Sequence, residues 1–195
     1  MNLQDIQAAK QVVRDYHRRL DAAPVDEIGD ALQAAVTSDY VWRGYHPFGL
    51  LPLPEVTNRF WKPLRTALTA MQRRQDIFFA GRNQIDDFQS IWVVSMGHLM
   101  GLFDKPWLGI RPTGKMAFLR YCEFNRVEDG KLAETSLYFD IPHLMAQAGQ
   151  NPFGPQTAAH LVQPGPQTHS GLLYDAQDPQ EGAATLALIN AMITD

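Results

Sequence analysis

Residues 115–140 read KMAFLRYCEFNRVEDGKLAETSLYFD. The aromatic and β-branched residues of this stretch predict two strands, over 115–127 and 131–140. Asp129 and Gly130 lie between the two strands, and a glycine at that place suits a hairpin turn that needs a positive φ. The stretch therefore predicts an antiparallel hairpin, with Glu128-Asp129-Gly130 as a three-residue loop.

The segments before this hairpin add more strands and, earlier, helices. Strand-like stretches cover 74–81 and 89–103. Apolar residues recur every three or four positions over 3–22, which predicts an amphipathic helix. A second helix is predicted from Asp26 onward and a third over 55–71. Helices followed by a meander of long antiparallel strands are typical of an α+β fold.

The long strands carry apolar residues on both faces, as 91–94 and 116–119 illustrate. Such strands need cover on both sides, so we expect a curved sheet wrapped around the helices, with a pocket between them. We assign this domain to residues 1–149. Residues 150–195 are rich in Pro and Gly and end in a predicted helix. This arm is expected to pack on the core or on a partner subunit.

Composition excludes several classes of protein. The 195 residues are 45% hydrophobic and carry a formal net charge of -4, so no basic surface for nucleic acid is expected. No apolar run reaches the length of a membrane span, and the N-terminus lacks the apolar segment of a signal peptide. A cytoplasmic location is therefore expected. The single cysteine, Cys122, allows no internal disulfide, and His98, His143 and His160 are too far apart in sequence to predict a metal site.

Two polar residues within apolar strands are candidates for chemistry. Asp140 ends a strand just before Pro142, which fits a helix N-cap, and also fits a buried carboxylate of raised pKa that transfers protons. His98 lies among apolar residues between Gly97 and Gly101. It is either a buried structural group or a catalytic or ligand-binding histidine.

Further candidates depend on strand register. The three-residue loop would place Arg120 opposite Tyr138, on one face with Asp140, whereas Glu123 would point away. A solvated ion pair is the alternative role for Arg120. Trp42 and His46 are four positions apart, which places them on one face of a strand over 39–45 and next to a Pro-rich loop. They are candidates for a pocket wall or, for the tryptophan, for the core.

An ordered set of short motifs resembles the SnoaL-like polyketide cyclase group of the NTF2-like superfamily. The motifs are Gly97-His98-Leu99-Met100-Gly101, the segments 106–114 and 123–134, then Asp140 and the segment 144–149. The match covers about residues 35–150. It implies an NTF2-like (cystatin-like) cone, in which a curved antiparallel sheet surrounds N-terminal helices and a deep pocket.

The resemblance also implies an activity. Characterised cyclases of this group close a polyketide ring by intramolecular aldol condensation, without a metal or an organic cofactor. A pocket aspartate serves as acid and base, and Asp140 best matches its position. His98 or Arg120 would stabilise the enolate. The ligand would be a small apolar or aromatic carbonyl compound, bound by Arg120, Tyr138, Trp42, His46 and Ser136.

Ser136 departs from the family pattern. The family often has a tryptophan four residues before the aspartate, and this chain has Ser136 at that place, which implies a reshaped pocket. The alternatives are a ligand carrier without catalysis and a dehydratase or double-bond isomerase on the same fold. A contact between His98 and Asp140 would favour the isomerase. A homodimer is expected, because this fold usually exposes an apolar sheet face.

Overall fold

The computed structural model describes residues 3–154 and 162–194, so His160 and part of the predicted arm lie outside the described residues. Its helices are α1 (Leu3–Ala22), α2 (Ile28–Gln33), α3 (Leu53–Glu55), α4 (Lys62–Ala67), α5 (Ile141–Gln147) and α6 (Pro179–Thr194). Its strands are β1 (Val36–Gly44), β2 (Leu50–Leu51), β3 (Leu68–Arg82), β4 (Ile91–Phe103), β5 (Met116–Glu128) and β6 (Lys131–Phe139). A π-type turn, Val56–Trp61, joins α3 to α4.

The predicted elements are present, but β1 begins at Val36 instead of residue 39, and the boundary between the third helix and β3 differs more. The helix predicted over 55–71 ends at Ala67, and β3 begins at Leu68 instead of residue 74. The extra residues of β3 pair with the end of β4, where Leu68 lies opposite Phe103. Sheet pairing at this point outweighs the local helical pattern, as tertiary contacts often do.

The strands form one six-stranded sheet in the order β2-β1-β6-β5-β4-β3. All neighbours are antiparallel except β1 and β6, which are parallel. The helix α1 packs across β3, β4, β5 and β6 on one side of the sheet, which is called the inner face below. The α+β fold with a curved sheet around N-terminal helices is thus confirmed.

The hairpin between β5 and β6 corrects the predicted register. Glu128 pairs with Lys131, so the loop has two residues, Asp129 and Gly130, with φ of 49° and 73°. Two positive φ values are typical of a type I′ turn. A register shift after Arg126 moves the pairing by one more residue, so Cys122 and not Arg120 lies opposite Tyr138. The shorter loop and the register shift each move the pairing by one residue, so together they move it by two. A move of two residues leaves every side chain on its predicted face, and Arg120 and Tyr138 still share a face.

Aromatic side chains fill one end of the space between the helices and the inner face. Trp42 of β1 lies 5.2 Å from Phe60, measured between ring centroids, and Phe60 lies 6.2 Å from Trp107. Phe48 and Phe139 complete this cluster. Because Trp42, Phe48, Phe60 and Trp107 are buried, this end of the interior is packed core.

Replacement of Phe60 by alanine should therefore be costly. Phe60→Ala is expected to lower the free energy of unfolding by about 3–5 kcal/mol, since it removes a buried ring and leaves a cavity. Denaturant unfolding followed by circular dichroism measures this loss. Phe153, which is 58% exposed, is the matched control, and Phe153→Ala should change stability by less than about 0.5 kcal/mol. Equal losses in the two variants would contradict the assignment of Phe60 to the core.

Candidate functional site

His17 and Glu123 form a buried pair between α1 and the inner face. Nε2 of His17 lies 2.5 Å from Oε2 of Glu123, and their side chains are 6% and 0% exposed. The hydroxyl of Tyr16 donates to Oε1 of Glu123 at 3.4 Å. The buried stripe of α1, which includes Val13 and Leu20, turns positions 16 and 17 toward the sheet. A helix-to-sheet contact is thus built around a polar pair.

Arg73 of β3 is the buried cation of this site. Its side chain is 4% exposed, and its Nη1 lies 3.7 Å from Oε2 of Glu123. Its Nε and Nη2 donate to the carboxylate of Asp21 on α1 at 3.0 and 3.3 Å. The guanidinium also lies 5.2 Å from the ring centroid of Tyr121. One arginine therefore joins two carboxylates, which offset its charge in a region of low solvent access.

The charges fix the protonation state of the pair. Burial lowers the pKa of His17 below its ordinary value of 6.5, and the charge of Arg73 acts in the same direction. Burial alone would raise the pKa of Glu123, but His17 and Arg73 outweigh it and hold this pKa below its ordinary value of 4.5. At neutral pH the pair is a neutral imidazole and a carboxylate. Because the carboxylate can only accept, the imidazole proton lies on Nε2.

A cleft of about 330 Å³ opens beside this pair. Nε2 of Gln75 lies 3.2 Å from Nδ1 of His17 and donates to the hydroxyl of Ser95 at 3.0 Å. The hydroxyl of Tyr174, beyond α5 in the chain, donates to Oε1 of Gln75 at 2.9 Å. The cleft lining consists of Arg14, His17, Arg18, Asp21, Arg73, Gln75 and Tyr174. The unprotonated ring nitrogen of His17 is thus next to a polar cleft, where it can accept a proton.

The predicted residues Asp140 and Arg120 lie together, away from this cleft. Nη1 of Arg120 is 3.8 Å from Oδ2 of Asp140. Oδ1 of Asp140 accepts from the backbone N–H of His143 at 3.0 Å, which is the N-cap contact of α5. Arg120 alternates with Tyr121 and Glu123 along β5, so it points to the opposite, outer face of the sheet.

His98 lies next to Arg120 in the sheet, on the same outer face. It is buried, its Nδ1 is 3.4 Å from Oδ2 of Asp76, and its Nε2 accepts from the backbone N–H of Gln163 at 3.3 Å. Burial and the charge of Arg74 lower the pKa of His98. The carboxylate nearest to His98 is thus that of Asp76 and not that of Asp140.

The remaining predicted residues fall in three different places. Ser136 and Tyr138 line a groove of about 450 Å³ on the outer face, with Trp92 and Phe124 among its other walls. Trp42 lies in the buried aromatic cluster. His46 follows the end of β1 in an exposed turn, so it does not share a strand face with Trp42 as predicted. The predicted set is therefore divided between the core, a turn and the outer face.

The inner residues His17, Arg73, Gln75 and Tyr174 are not among the candidates predicted from the sequence. One signal was available: His17 is a polar residue four positions after Val13 and three before Leu20, within the apolar stripe of α1. Arg73 and Gln75 lie in the polar run of residues 72–76, which has no pattern that indicates burial. Glu123 was considered, but its partner across the helix could not be identified without the fold.

Among the similar solved structures is a proposed SnoaL-like polyketide cyclase from Jannaschia sp. CCS1, with a TM-score of 0.55 and 17% identity, over 76% of this chain and 94% of that one. AclR, a proposed hydroxylase from Streptomyces galilaeus, has a TM-score of 0.58 and 14% sequence identity, and the match covers 95% of each chain. IdmH, a proposed polyketide cyclase from Streptomyces antibioticus, has a TM-score of 0.54 and 17% sequence identity, and the match covers 70% of this chain and 97% of that one. No family model matches the sequence. No curated protein matches it either.

The chain therefore has the NTF2-like fold of the SnoaL-like cyclases, which confirms the resemblance at the level of the fold. Within residues 3–154 and 162–194, no group of three or more His, Cys, Asp or Glu side chains is arranged to hold a metal ion. In the same part of the chain, no helix is long and apolar enough to cross a membrane.

The buried pair should make stability depend on pH. In the unfolded chain His17 takes up a proton below its ordinary pKa of 6.5, whereas in the folded protein burial and Arg73 oppose this uptake. The unfolded state then binds more protons, so the free energy of unfolding should fall as the pH is lowered from 7 to 5. Urea titrations at several pH values measure this slope.

The variant His17→Asn should flatten this slope, because asparagine does not titrate. His46→Asn is the matched control, since His46 is an exposed histidine in the turn after β1, and this variant should keep the wild-type slope. An unchanged slope in His17→Asn would show that other groups produce the pH dependence.

Proposed function

We propose that the protein is an acid–base enzyme that needs no cofactor, acts on small carbonyl compounds, and uses His17 as the base. The observation that carries this proposal is the 2.5 Å contact between His17 and the buried carboxylate of Glu123, beside a polar cleft. A buried carboxylate that holds one ring nitrogen of a histidine orients the ring and stabilises the imidazolium that forms during proton transfer. The other ring nitrogen is then the base.

The proposed reaction is an intramolecular aldol step. Nδ1 of His17 removes a proton from the carbon next to a carbonyl, and the electron pair moves into the enolate. The guanidinium of Arg73, which lines the cleft, would stabilise the negative charge of the enolate. The enolate carbon attacks a second carbonyl of the same molecule. The resulting alkoxide takes the proton back from His17, so no net proton is consumed.

The lining of the cleft favours a polar substrate. Arg14 and Arg18 add positive charge at the cleft, whereas Tyr174 is its main apolar surface. A cleft of about 330 Å³ suits a small molecule. We therefore propose a compact carbonyl compound with an acidic or hydroxyl group, in place of the apolar ligand expected from the sequence.

Hydrogen–deuterium exchange tests the first step without knowledge of the substrate. Levulinate, 3-benzoylpropionate and hydroxyacetone each carry an acidic or a hydroxyl group besides the ketone. In D₂O they should exchange the protons next to the ketone faster with the enzyme than in buffer, as measured by NMR. His17→Asn should slow the catalysed exchange at least ~100-fold, since general base catalysis contributes about 10²–10⁴ in rate.

The variant Asp140→Asn distinguishes the two faces of the sheet. Asp140 lies outside the cleft, so the variant should keep the wild-type exchange rate, although the substitution weakens the cap of α5. Exchange that survives in His17→Asn and is lost in Asp140→Asn would place the chemistry on the outer face, at the aspartate predicted from the sequence. No exchange of any of the three ketones by the wild-type protein would contradict the acid–base proposal.

A ligand carrier without catalysis is the second candidate. The low exposure of the His17 side chain, 6%, favours it, because a base must reach its substrate. A carrier would bind the same ketones without exchange, and it would bind them equally well as His17→Asn.

We also propose that the protein is a homodimer, with the outer face of the sheet as the interface. Phe79, Met96 and Tyr138 are exposed on or near this face, around the groove that Trp92 and Phe124 line. Light scattering at micromolar concentration should give about twice the chain mass of 22.0 kDa. Phe79→Arg should shift the mass toward the monomer, since it places a charge in an apolar contact. A monomeric wild-type protein would refute the dimer.

A further inference from the structure

Residues 163–175 form a strap along the edge strand β3. Gln163 at its start contacts His98 on the outer face of the sheet, and Tyr174 near its end contacts Gln75 on the inner face. The N–H of Phe78 donates to the carbonyl of Gly171 at 2.7 Å, and the N–H of Leu173 donates to the carbonyl of Phe78 at 2.7 Å. Nζ of Lys10 donates to the carbonyl of Asp175 at 2.8 Å. The strap is therefore joined to the sheet edge and to α1 by defined hydrogen bonds.

The strap lies very close to β3. A Cβ added to Gly171 would lie 2.8 Å from the carbonyl oxygen of Asp76, and one added to Gly165 would lie 2.6 Å from Cβ of Asp76. Only glycine permits this approach without a shift of the backbone. Asp76 lies at a bulge of β3, where the pairing with β4 shifts between Gln75 and Ile77.

A chain of hydrogen bonds runs from the strap to the buried pair. The Tyr174 hydroxyl donates to Oε1 of Gln75, so the amide NH₂ of Gln75 is the group that faces Nδ1 of His17 and the Ser95 hydroxyl. A nitrogen that receives an N–H carries no proton itself. The proton of the neutral ring is then on Nε2, where Glu123 accepts it.

The alternative orientation of Gln75 corresponds to a different charge state of His17. If the amide rotated by 180°, Oε1 would face Nδ1, which would then need a proton as well, and His17 would be an imidazolium. Tyr174 opposes this rotation, because its O–H would lose the carbonyl acceptor and its oxygen would have to accept from the amide NH₂ instead. The charged groups facing His17 are Asp21 and Glu123, which favour the imidazolium, and Arg73, which opposes it, with Arg14 and Arg18 in the same cleft.

We infer that Tyr174 is a positioning residue of the inner site, which acts through Gln75 to keep His17 in the neutral tautomer with an unprotonated Nδ1. The effect of Tyr174 on a reaction rate rests on the proposed function. The tautomer itself is a property of the free protein and is measured without any ligand.

The test uses the full chain with ¹⁵N-labelled histidine and long-range ¹H–¹⁵N correlation spectra over a pH series. In the wild-type protein Nδ1 of His17 should have the shift of an unprotonated nitrogen at pH 7, and Nε2 that of a protonated one. Tyr174→Phe keeps the ring over the cleft but removes the donor. The titration midpoint of His17 should then rise by about half a unit to one unit, the equivalent of one hydrogen bond.

Gly171→Ala provides a second route to the same change. Its Cβ should displace the strap and move the midpoint in the same direction, even if Tyr174→Phe folds poorly. Gly182 of α6 is the matched control, since an added Cβ there meets nothing within 4 Å, and Gly182→Ala should titrate like the wild type. A protonated Nδ1 in the wild-type protein at pH 7, or an unchanged midpoint in Tyr174→Phe and Gly171→Ala, would overturn the inference.

The exchange assay separates this inference from the proposed function. If the protein is an enzyme, Tyr174→Phe should shift the acid limb of the exchange rate to higher pH. A purely structural role for Tyr174 would instead lower the rate equally at all pH values. If the enzyme exchanges no ketone but the titration midpoint of His17 rises in Tyr174→Phe and Gly171→Ala, the inference stands and the proposed function fails.

Discussion

The contact between His17 and Glu123 requires the most support from the rest of the protein. A carboxylate with no solvent exposure is stable only with close compensating charge and hydrogen bonds, and loss of one partner of such a pair costs about 3–5 kcal/mol. Arg73 supplies the charge, Asp21 holds Arg73, and Tyr16 donates a further hydrogen bond. α1 contributes three of these residues and the sheet the other two, so these contacts form in only one orientation of the helix on the sheet.

The two faces of the sheet separate two polar clusters. Glu123 points inward to His17, whereas Arg120 and His98 point outward, because side chains alternate along a strand. On β3 the same alternation places Gln75 at the inner cluster and the next residue, Asp76, at His98 on the outer face. The bulge comes at Asp76, which has no partner on β4. The aromatic cluster fills the other end of the interior. Polar chemistry on the inner face is thereby confined to the end near His17.

The elements of the fold could be predicted from the sequence to a large extent, and the candidate site only in part. Periodicity predicted 3–22 as a helix with its observed ends, because α1 has a regular apolar stripe. The loop between β5 and β6 was predicted one residue too long, since Gly130 fits both two-residue and three-residue turns. The inner site joins residues far apart in the chain, such as Tyr16 and Glu123, which are 107 positions apart, and no local pattern encodes such a distance. Asp140 and Arg120 could be predicted as candidates because the patterns that indicate them lie within short stretches of sequence.

The strap also affects how the molecule meets its neighbours. β3 is a fifteen-residue strand at the edge of the sheet, and unpaired backbone groups on such a strand can template pairing with another chain. The parallel pairing of Phe78 with Leu172 occupies these groups near the middle of the strand, and the adjacent bulge interrupts the row further. The segment that reaches the buried histidine therefore also protects the molecule against edge-to-edge aggregation.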